Sequence, residues 1–254
     1  MHSPFDLAGR LALITGCRRG IGLAITEAMA AAGADVIGVS STLEPTGSEP
    51  ERVVRGHGRD FAGYTADLSN METVYELTRW LAQLGRPVDI LVNNAGTIVR
   101  APATEHTDEA WNHVLAVDLV SPFVLARELG REMVDRGQGK IIFLASMLSF
   151  QGGINVVSYT AAKSGVAGIT RALANEWAGR GVNVNAIAPG YIATDNTQAL
   201  QDDPVRDAAI ISRIPAGRWG RPADIAGAAV FLASSAADYV HGTVLAVDGG
   251  WLAR

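Results

Sequence analysis

Short apolar runs alternate with helical stripes along the whole chain. The runs at 11–15, 35–39, 90–93, 140–145, 182–187 and 243–247 are continuous in apolar character, the mark of strands covered on both faces. Between them, apolar residues recur at helical spacing: Ile21, Ile25 and Met29; Val74, Leu77, Leu81 and Leu84; Val166, Ile169, Leu173 and Trp177. Strand–helix repetition of this kind predicts right-handed parallel βαβ units. These build a doubly wound, Rossmann-type α/β fold, a three-layer α/β/α sandwich. No stretch reads as a linker, so residues 1–254 are expected to form a single domain. Two segments break the rhythm. Residues 42–58 are polar and rich in Pro, Gly and Glu, and read as a loop with one short helix. Residues 190–220 form a longer interruption, with a helix start at Asp203–Pro204. An insertion of that length predicts a lid or binding loop.

Composition narrows the picture by exclusion. Apolar residues at 48% and charged residues at 19% are enough for a large core. A net charge of −5 and the lack of a Lys/Arg run argue against nucleic-acid and anionic-membrane partners. The uncharged stretch 141–162 contains Ser146, Gln151, Asn155 and Ser158 and is not expected to span a membrane. Residues 1–10 carry Asp6 and lack the basic start and apolar centre of a signal peptide. The single cysteine, Cys17, excludes an intrachain disulfide and fits a reducing, cytoplasmic setting. His2, His57, His106, His113 and His241 are scattered, so no metal site is expected.

Candidate chemistry gathers at the ends of the predicted strands. The first strand runs into Gly16, Gly20 and Gly22, spaced G-x-x-x-G-x-G, and then into a helix. Glycines let backbone amides approach a pyrophosphate, and the helix N-terminus adds partial positive charge. Asp67–Leu68 follows a third strand candidate, and the Asn93–Asn94–Ala95–Gly96 stretch follows the fourth. In an open α/β sheet these strand ends line the ligand crevice. The three fragments together predict a dinucleotide site.

Tyr159 and Lys163 stand four residues apart on a predicted helix, so they leave the same face. Ser146 ends a strand 13 residues before the tyrosine. An ammonium ~4 Å from a phenol, at an effective dielectric of ~20, is worth ~4 kcal/mol, or about three pKa units. That brings a tyrosine towards neutrality, where general acid–base catalysis works best. Ser146 is placed to bond and orient a substrate oxygen.

The order T-G-C-R-R-G-I-G, N-N-A-G, Ser146, Y-T-A-A-K and P-G-Y-I-A-T resembles the short-chain dehydrogenase/reductase family across the whole chain. The resemblance implies that phosphates sit over residues 16–22, including Gly16, Arg18, Arg19, Gly20, Ile21 and Gly22. It gives Asp67 and Asn93 to the adenosine half of the cofactor and adds Leu68, Ala95 and Gly96 to the cofactor-binding residues. Ser146, Tyr159 and Lys163 match the catalytic serine, tyrosine and lysine, the last also holding the nicotinamide ribose. Pro189, Gly190, Ile192 and Thr194 match the segment at the nicotinamide carboxamide. The implied activity is hydride transfer between a nicotinamide dinucleotide and a secondary alcohol or ketone, commonly in a homotetramer. One position departs from the pattern: Asp118 stands where the family has a fourth catalytic residue, an asparagine serving a proton relay largely through its carbonyl. Two expectations stand side by side. Asp118 keeps the relay and becomes a partner of Lys163, or it raises the lysine's pKa and blunts its field on Tyr159.

Further stretches, 145–154, 175–178, 188–198, 213–220 and the ending V-D-G-G-W-L-A-R, narrow the resemblance to family members acting on six-carbon keto-deoxy sugar acids. Such a substrate needs a cation for its carboxylate. Arg100 is the first candidate, then Arg213 and Arg218, with Gln151 and Gln198 for hydroxyls. The cofactor's 2′-substituent is read two ways. Ser40 replaces the aspartate that NAD-specific members often carry at the end of the second strand, and Arg19 suits a 2′-phosphate. The sugar-acid resemblance favours NAD over NADP. A 3-oxoacyl thioester reductase and a broad polyol dehydrogenase share the fold and remain alternatives. A non-catalytic nucleotide sensor is the rival of another class, and it is disfavoured by the presence of both Tyr159 and Lys163.

Overall fold

Every residue of β1 (Leu11–Thr15) is buried, and successive apolar side chains serve opposite faces of the sheet. Leu11 and Leu13 join a cluster with Leu77, Leu125, Phe143 and Val166. Ala12 and Ile14 join a second cluster with Ile25, Met29, Ile142 and Ala229. Two-sided burial is therefore why the strands read as unbroken apolar runs. The computed structural model describes residues 3–44 and 46–254; Met1, His2 and Pro45, which fall within the readings of 1–10 and 42–58, lie outside it.

The remaining strands are β2 (Asp35–Ser40), β3 (Phe61–Thr65), β4 (Ile90–Asn93), β5 (Gly139–Leu144), β6 (Val182–Pro189) and β7 (Val244–Val247). All pairings are parallel, in the order β3-β2-β1-β4-β5-β6-β7. The six bounded strand expectations are met, two of them to the residue and four with ends displaced by one or two residues. β3 is an edge strand whose residues are half-buried or exposed, so no apolar run marks it.

The helices are α1 (Gly20–Ala31), α2 (Glu49–Gly56), α3 (Met71–Ala82), α4 (Asp108–Leu115), α5 (Ser121–Arg136), α6 (Val157–Trp177), α7 (Gln198–Gln201), α8 (Pro204–Arg213) and α9 (Pro222–Ala233). α3, α5 and α6 cover one face, and α1, α2 and α9 the other. The short helix read within 42–58 is α2, whose N-cap Ser48 accepts from the Glu51 amide at 3.4 Å. α8 begins at Asp203–Pro204 as expected, with the Asp203 carboxylate accepting from the amides of Val205 at 3.0 Å and Arg206 at 3.2 Å. Among the described residues no helix is long and apolar enough to cross a membrane, and no group of three or more His, Cys, Asp or Glu is arranged for a metal.

The strand order fixes where a ligand can sit. β1 lies between β2 and β4, so connections leave it in opposite directions and a crevice opens at the carboxyl ends of β1 and β4. The glycine turn and the stretch 93–96 meet there.

Candidate active site

The turn after β1 is built for close approach. Gly16 has φ +67°, and a Cβ on Gly22 would lie 2.0 Å from the Gly16 carbonyl oxygen. Any side chain at 22 would prise the turn apart. Arg19, the N-cap of α1, makes no side-chain bond to the first turn. The amides there are thus left for an anion. This cradle, together with its glycines, fits the diphosphate of a dinucleotide. Cys17 is no reactive thiol: burial pushes its pKa up to about 12.

The stretch after β4 braces that turn. Asn94 Nδ2 donates to the carbonyls of Thr15 at 2.9 Å and Gly16 at 3.1 Å. The amides of Asn94 and Ala95 both donate to Thr15 Oγ1 at 3.0 Å. Thr15 and Asn94 are positioning residues that sequence reasoning quoted inside longer motifs without giving either this bracing role, although a T-G turn and an N-N pair at neighbouring strand ends are the signal. Asn93 behaves differently from expectation. Its side chain is buried and donates to the Pro122 carbonyl at 3.2 Å, because the strand's alternation turns it under α5. Only its main chain is left to meet an adenosine. Asp67 is exposed, and bonds from the Ser69 amide and hydroxyl hold its carboxyl below the usual range. Leu68 is buried beside it.

Tyr159, Lys163 and Ser146 converge through a fastening of the loop after β5 to α6. Ser149 Oγ donates to the Lys163 carbonyl at 2.6 Å and accepts from the Ser146 amide at 3.3 Å. Ser146 Oγ accepts from the Leu148 amide at 3.2 Å, which leaves its own proton to donate. The Ser146–Ser149 spacing is a capping box at a strand end, a signal for Ser149 that was present in the sequence. Tyr159 is half-buried, and Lys163 Nζ lies 5.4 Å from its ring centroid.

Asp118 occupies a π-helical turn, Ala116–Val120, between α4 and α5. Its closing bond runs from the Ser121 amide to the Ala116 carbonyl. Such turns often mark functional sites. Asp118 is fully buried, with Oδ2 3.2 Å from Lys163 Nζ and Oδ1 accepting from the Thr97 amide at 2.7 Å. The Oδ2 contact is a charge pairing rather than an aligned hydrogen bond. Lys163 Nζ spends one proton on the Leu144 carbonyl at 2.8 Å. Burial lowers the lysine's pKa, but Asp118, helped by Tyr159, more than offsets this and holds it above the ordinary lysine range. Burial pushes the Asp118 carboxyl up, against the opposing pull of Lys163, the Thr97 amide and His113.

The start of segment 190–220 lies across the crevice. The Gly190 amide donates to the Val247 carbonyl at 3.0 Å, continuing the register in which Pro189 pairs with Val247. Ile192 is buried and bridges to Gly220. The methyl of Thr194 stands over Gly20, and Arg19 Nη1 pairs with Asp195 Oδ2 at 2.6 Å. Arg18 pairs with Glu44 at 3.1 Å. Arg18, Arg19, Glu44 and Ser48 are among the residues lining a cleft of about 420 Å³ beyond the end of β2, where Ser40 stands.

Two of the cations and both amides proposed for a substrate have partners of their own. Arg218 clamps Asp224 at 2.7 and 3.2 Å, holding that carboxyl down at about 2. The Arg213 guanidinium stacks 4.0 Å from the Trp251 ring. Gln198 donates to Asp202 at 2.8 Å, and Gln151 accepts from Trp251 Nε1 at 3.4 Å. Arg100 is exposed and forms no ion pair among the described residues. Sequence reasoning missed an aromatic group in which the Tyr191 ring packs against Trp219 at 5.4 Å and Trp251 at 4.9 Å. The only hint of it in the sequence is that three of the five tryptophans, Trp177, Trp219 and Trp251, fall in the last third of the chain.

A parallel sheet with a glycine cradle at its switch point, facing a tyrosine–lysine pair, defines a class: dinucleotide-dependent oxidoreductases. Comparison with known proteins narrows it. Residues 16–252 match a family model described as enoyl-(acyl carrier protein) reductase. The chain is 56% identical to the 2-dehydro-3-deoxy-D-gluconate 5-dehydrogenase of Pseudoalteromonas atlantica, over 254 residues and 100% of both chains. A structure from Agrobacterium tumefaciens, described as a 2-deoxy-D-gluconate 3-dehydrogenase with bound NADP, superposes with a TM-score of 0.93 at 49% identity, covering 100% of both chains. Another, from Beutenbergia cavernae, described as an NAD(P)-dependent gluconate 5-dehydrogenase with NADP at low occupancy, gives 0.94 at 52% identity, covering 99% of this chain and 100% of that one. The chain belongs to the short-chain dehydrogenase/reductase family.

Proposed function

We propose that this enzyme interconverts a secondary alcohol and a ketone on a keto-deoxy sugar acid, as its 2-dehydro-3-deoxy-D-gluconate 5-dehydrogenase relatives are named for doing. The chemistry is supported by the Lys163 ammonium 5.4 Å from the Tyr159 ring and by the tie of Ser146, through Ser149, to the Lys163 carbonyl on the same helix. The substrate class rests on likeness along the full chain, including residues 190–220. That segment acts as a lid over the crevice.

The cradle at residues 16–22, with Asp67, Leu68 and the main chain of 93–96, holds the adenosine and diphosphate. Residues 189–194 and Lys163 hold the nicotinamide half. When bound, the nicotinamide supplies the hydride donor or acceptor. Tyr159 gives its hydroxyl proton to the ketone oxygen and takes one back from the alcohol in the reverse direction. Ser146 donates a hydrogen bond to the same oxygen and orients it. Lys163 sets its ammonium 5.4 Å from the centre of the Tyr159 ring.

The preference for NAD that the sugar-acid resemblance suggests draws no support from relatives solved with NADP. Our reading is NADP, because Arg18 and Arg19 border the cleft beyond β2 and no carboxylate stands at Ser40. We further propose a homotetramer working in the cytoplasm; exposed Phe150, Ile154 and Val157 are apolar surface that a second copy would cover.

Initial rates followed by nicotinamide absorbance, with a sugar-acid panel, a polyol panel and a 3-oxoacyl thioester against both nicotinamides, test these readings together. Sugar acids with NADP should turn over best. A hundredfold better efficiency with the thioester would displace the substrate assignment, and tighter use of NAD would displace the cofactor assignment. Of the three arginines considered for the substrate carboxylate, Arg213 stacks on Trp251 and Arg218 clamps Asp224, which leaves Arg100 as the candidate. Arg100→Ala should raise KM for the sugar acid about tenfold or more with little change in kcat, the scale of a lost charged hydrogen bond. An unchanged KM would remove Arg100 from the site.

A further inference from the structure

We propose that Asp118 is a positioning residue that partly neutralises the Lys163 ammonium, so that this chain sets the acidity of Tyr159 with a buried carboxylate–ammonium pair in place of a lone ammonium. The proposal rests on the acid–base reading of Tyr159 given above. Its basis is geometric. The Asp118 and Lys163 side chains are 0% and 5% exposed, and their charges meet at 3.2 Å. Water is too sparse there to screen one from the other. Asp118 is also fixed rather than free to turn away. Oδ1 accepts from the Thr97 amide at 2.7 Å, the π-helical turn fixes its backbone, and a Cβ on Gly96 would sit 3.1 Å from Oδ2.

An amide in this position could accept from the Thr97 amide equally well but would bring no charge. The carboxylate makes the difference. The groups that set the Tyr159 proton are then Lys163 on its own helix, Asp118 from the π-helical turn and, more weakly, His113 from α4 acting on Asp118. A phenolate at Tyr159 competes with Asp118 for the same ammonium. The pair therefore favours the neutral phenol more than a lone ammonium would, and the enzyme works at higher pH than it would with asparagine at 118.

The test is the titration of Tyr159 itself, read as tyrosinate absorbance in the full-length protein. Subtracting the same protein carrying Tyr159→Phe isolates the phenol from the other tyrosines. In Asp118→Asn the Tyr159 transition should move down by roughly one pH unit, the lower end of what one neighbouring charge does. The acid limb of kcat/KM for alcohol oxidation should move with it. Asp118→Ser, which also removes the charge, should show the same displacement and serves if the asparagine variant folds poorly. A transition that stays in place or rises in either variant overturns the proposal, even where kcat falls, since a merely structural role would lower the rate without moving the titration. The absorbance readout needs no substrate. An error in the substrate assignment would appear in the assay panel and leave this measurement intact.

Discussion

Tyr159→Phe lowers kcat/KM by roughly 10³-fold, within the range that general acid–base groups contribute, while the protein still folds and still binds its dinucleotide. The Tyr159 hydroxyl has no structural duty. Among the described residues it donates to no carbonyl and caps no helix, so removing it leaves no buried polar group stranded. The ring stays, and with it the contact to Lys163 Nζ at 5.4 Å. The loss should therefore fall on kcat, with cofactor affinity by fluorescence titration and the thermal midpoint both close to the parent. A variant that turned over at the parental rate would end the acid–base reading.

The second large effect is on stability. Lys163→Met should cost roughly 3–5 kcal/mol, the usual penalty for breaking a buried ion pair from one side. Asp118 would have to take up a proton or remain charged and unpaired in a site with no solvent access, and the Leu144 carbonyl would lose its donor. Activity would vanish as well, so rate alone is uninformative. The decisive comparison is Lys163→Met combined with Asp118→Asn, followed by urea unfolding. The double variant should regain much of the lost stability, because neither charge is left buried alone, and should remain inactive. If the double variant is no more stable than Lys163→Met, the pair is not coupled as the geometry implies.

The layers of this fold are legible from periodicity because the strands are covered on both faces and the helices on one. β1 shows why, with Leu13 and Ile14 feeding opposite cores. β3 is less legible for the converse reason: an edge strand with half-covered residues carries no apolar run. At the site, the motifs locate Tyr159, Lys163, Ser146 and the glycine turn, since these chemistries demand fixed local spacings. Contacts between distant segments are not written in such spacings. The turning of Asn93 under Pro122, the clamp of Arg218 on Asp224 and the stacking of Arg213 on Trp251 depend on which elements become neighbours. Asp118 falls between the two cases. Its unusual identity is visible in the sequence, but the π-helical turn that points it at Lys163 is a property of the packed helices.

Trp251 touches Tyr191, lies under Arg213 and donates to Gln151, and it shares an apolar cluster with Met147, Ile210 and Ile214. Three stretches far apart in the chain thus share one wall. A change in any of them alone would misfit the other two, so these positions form one packing unit whose members are replaced together or not at all.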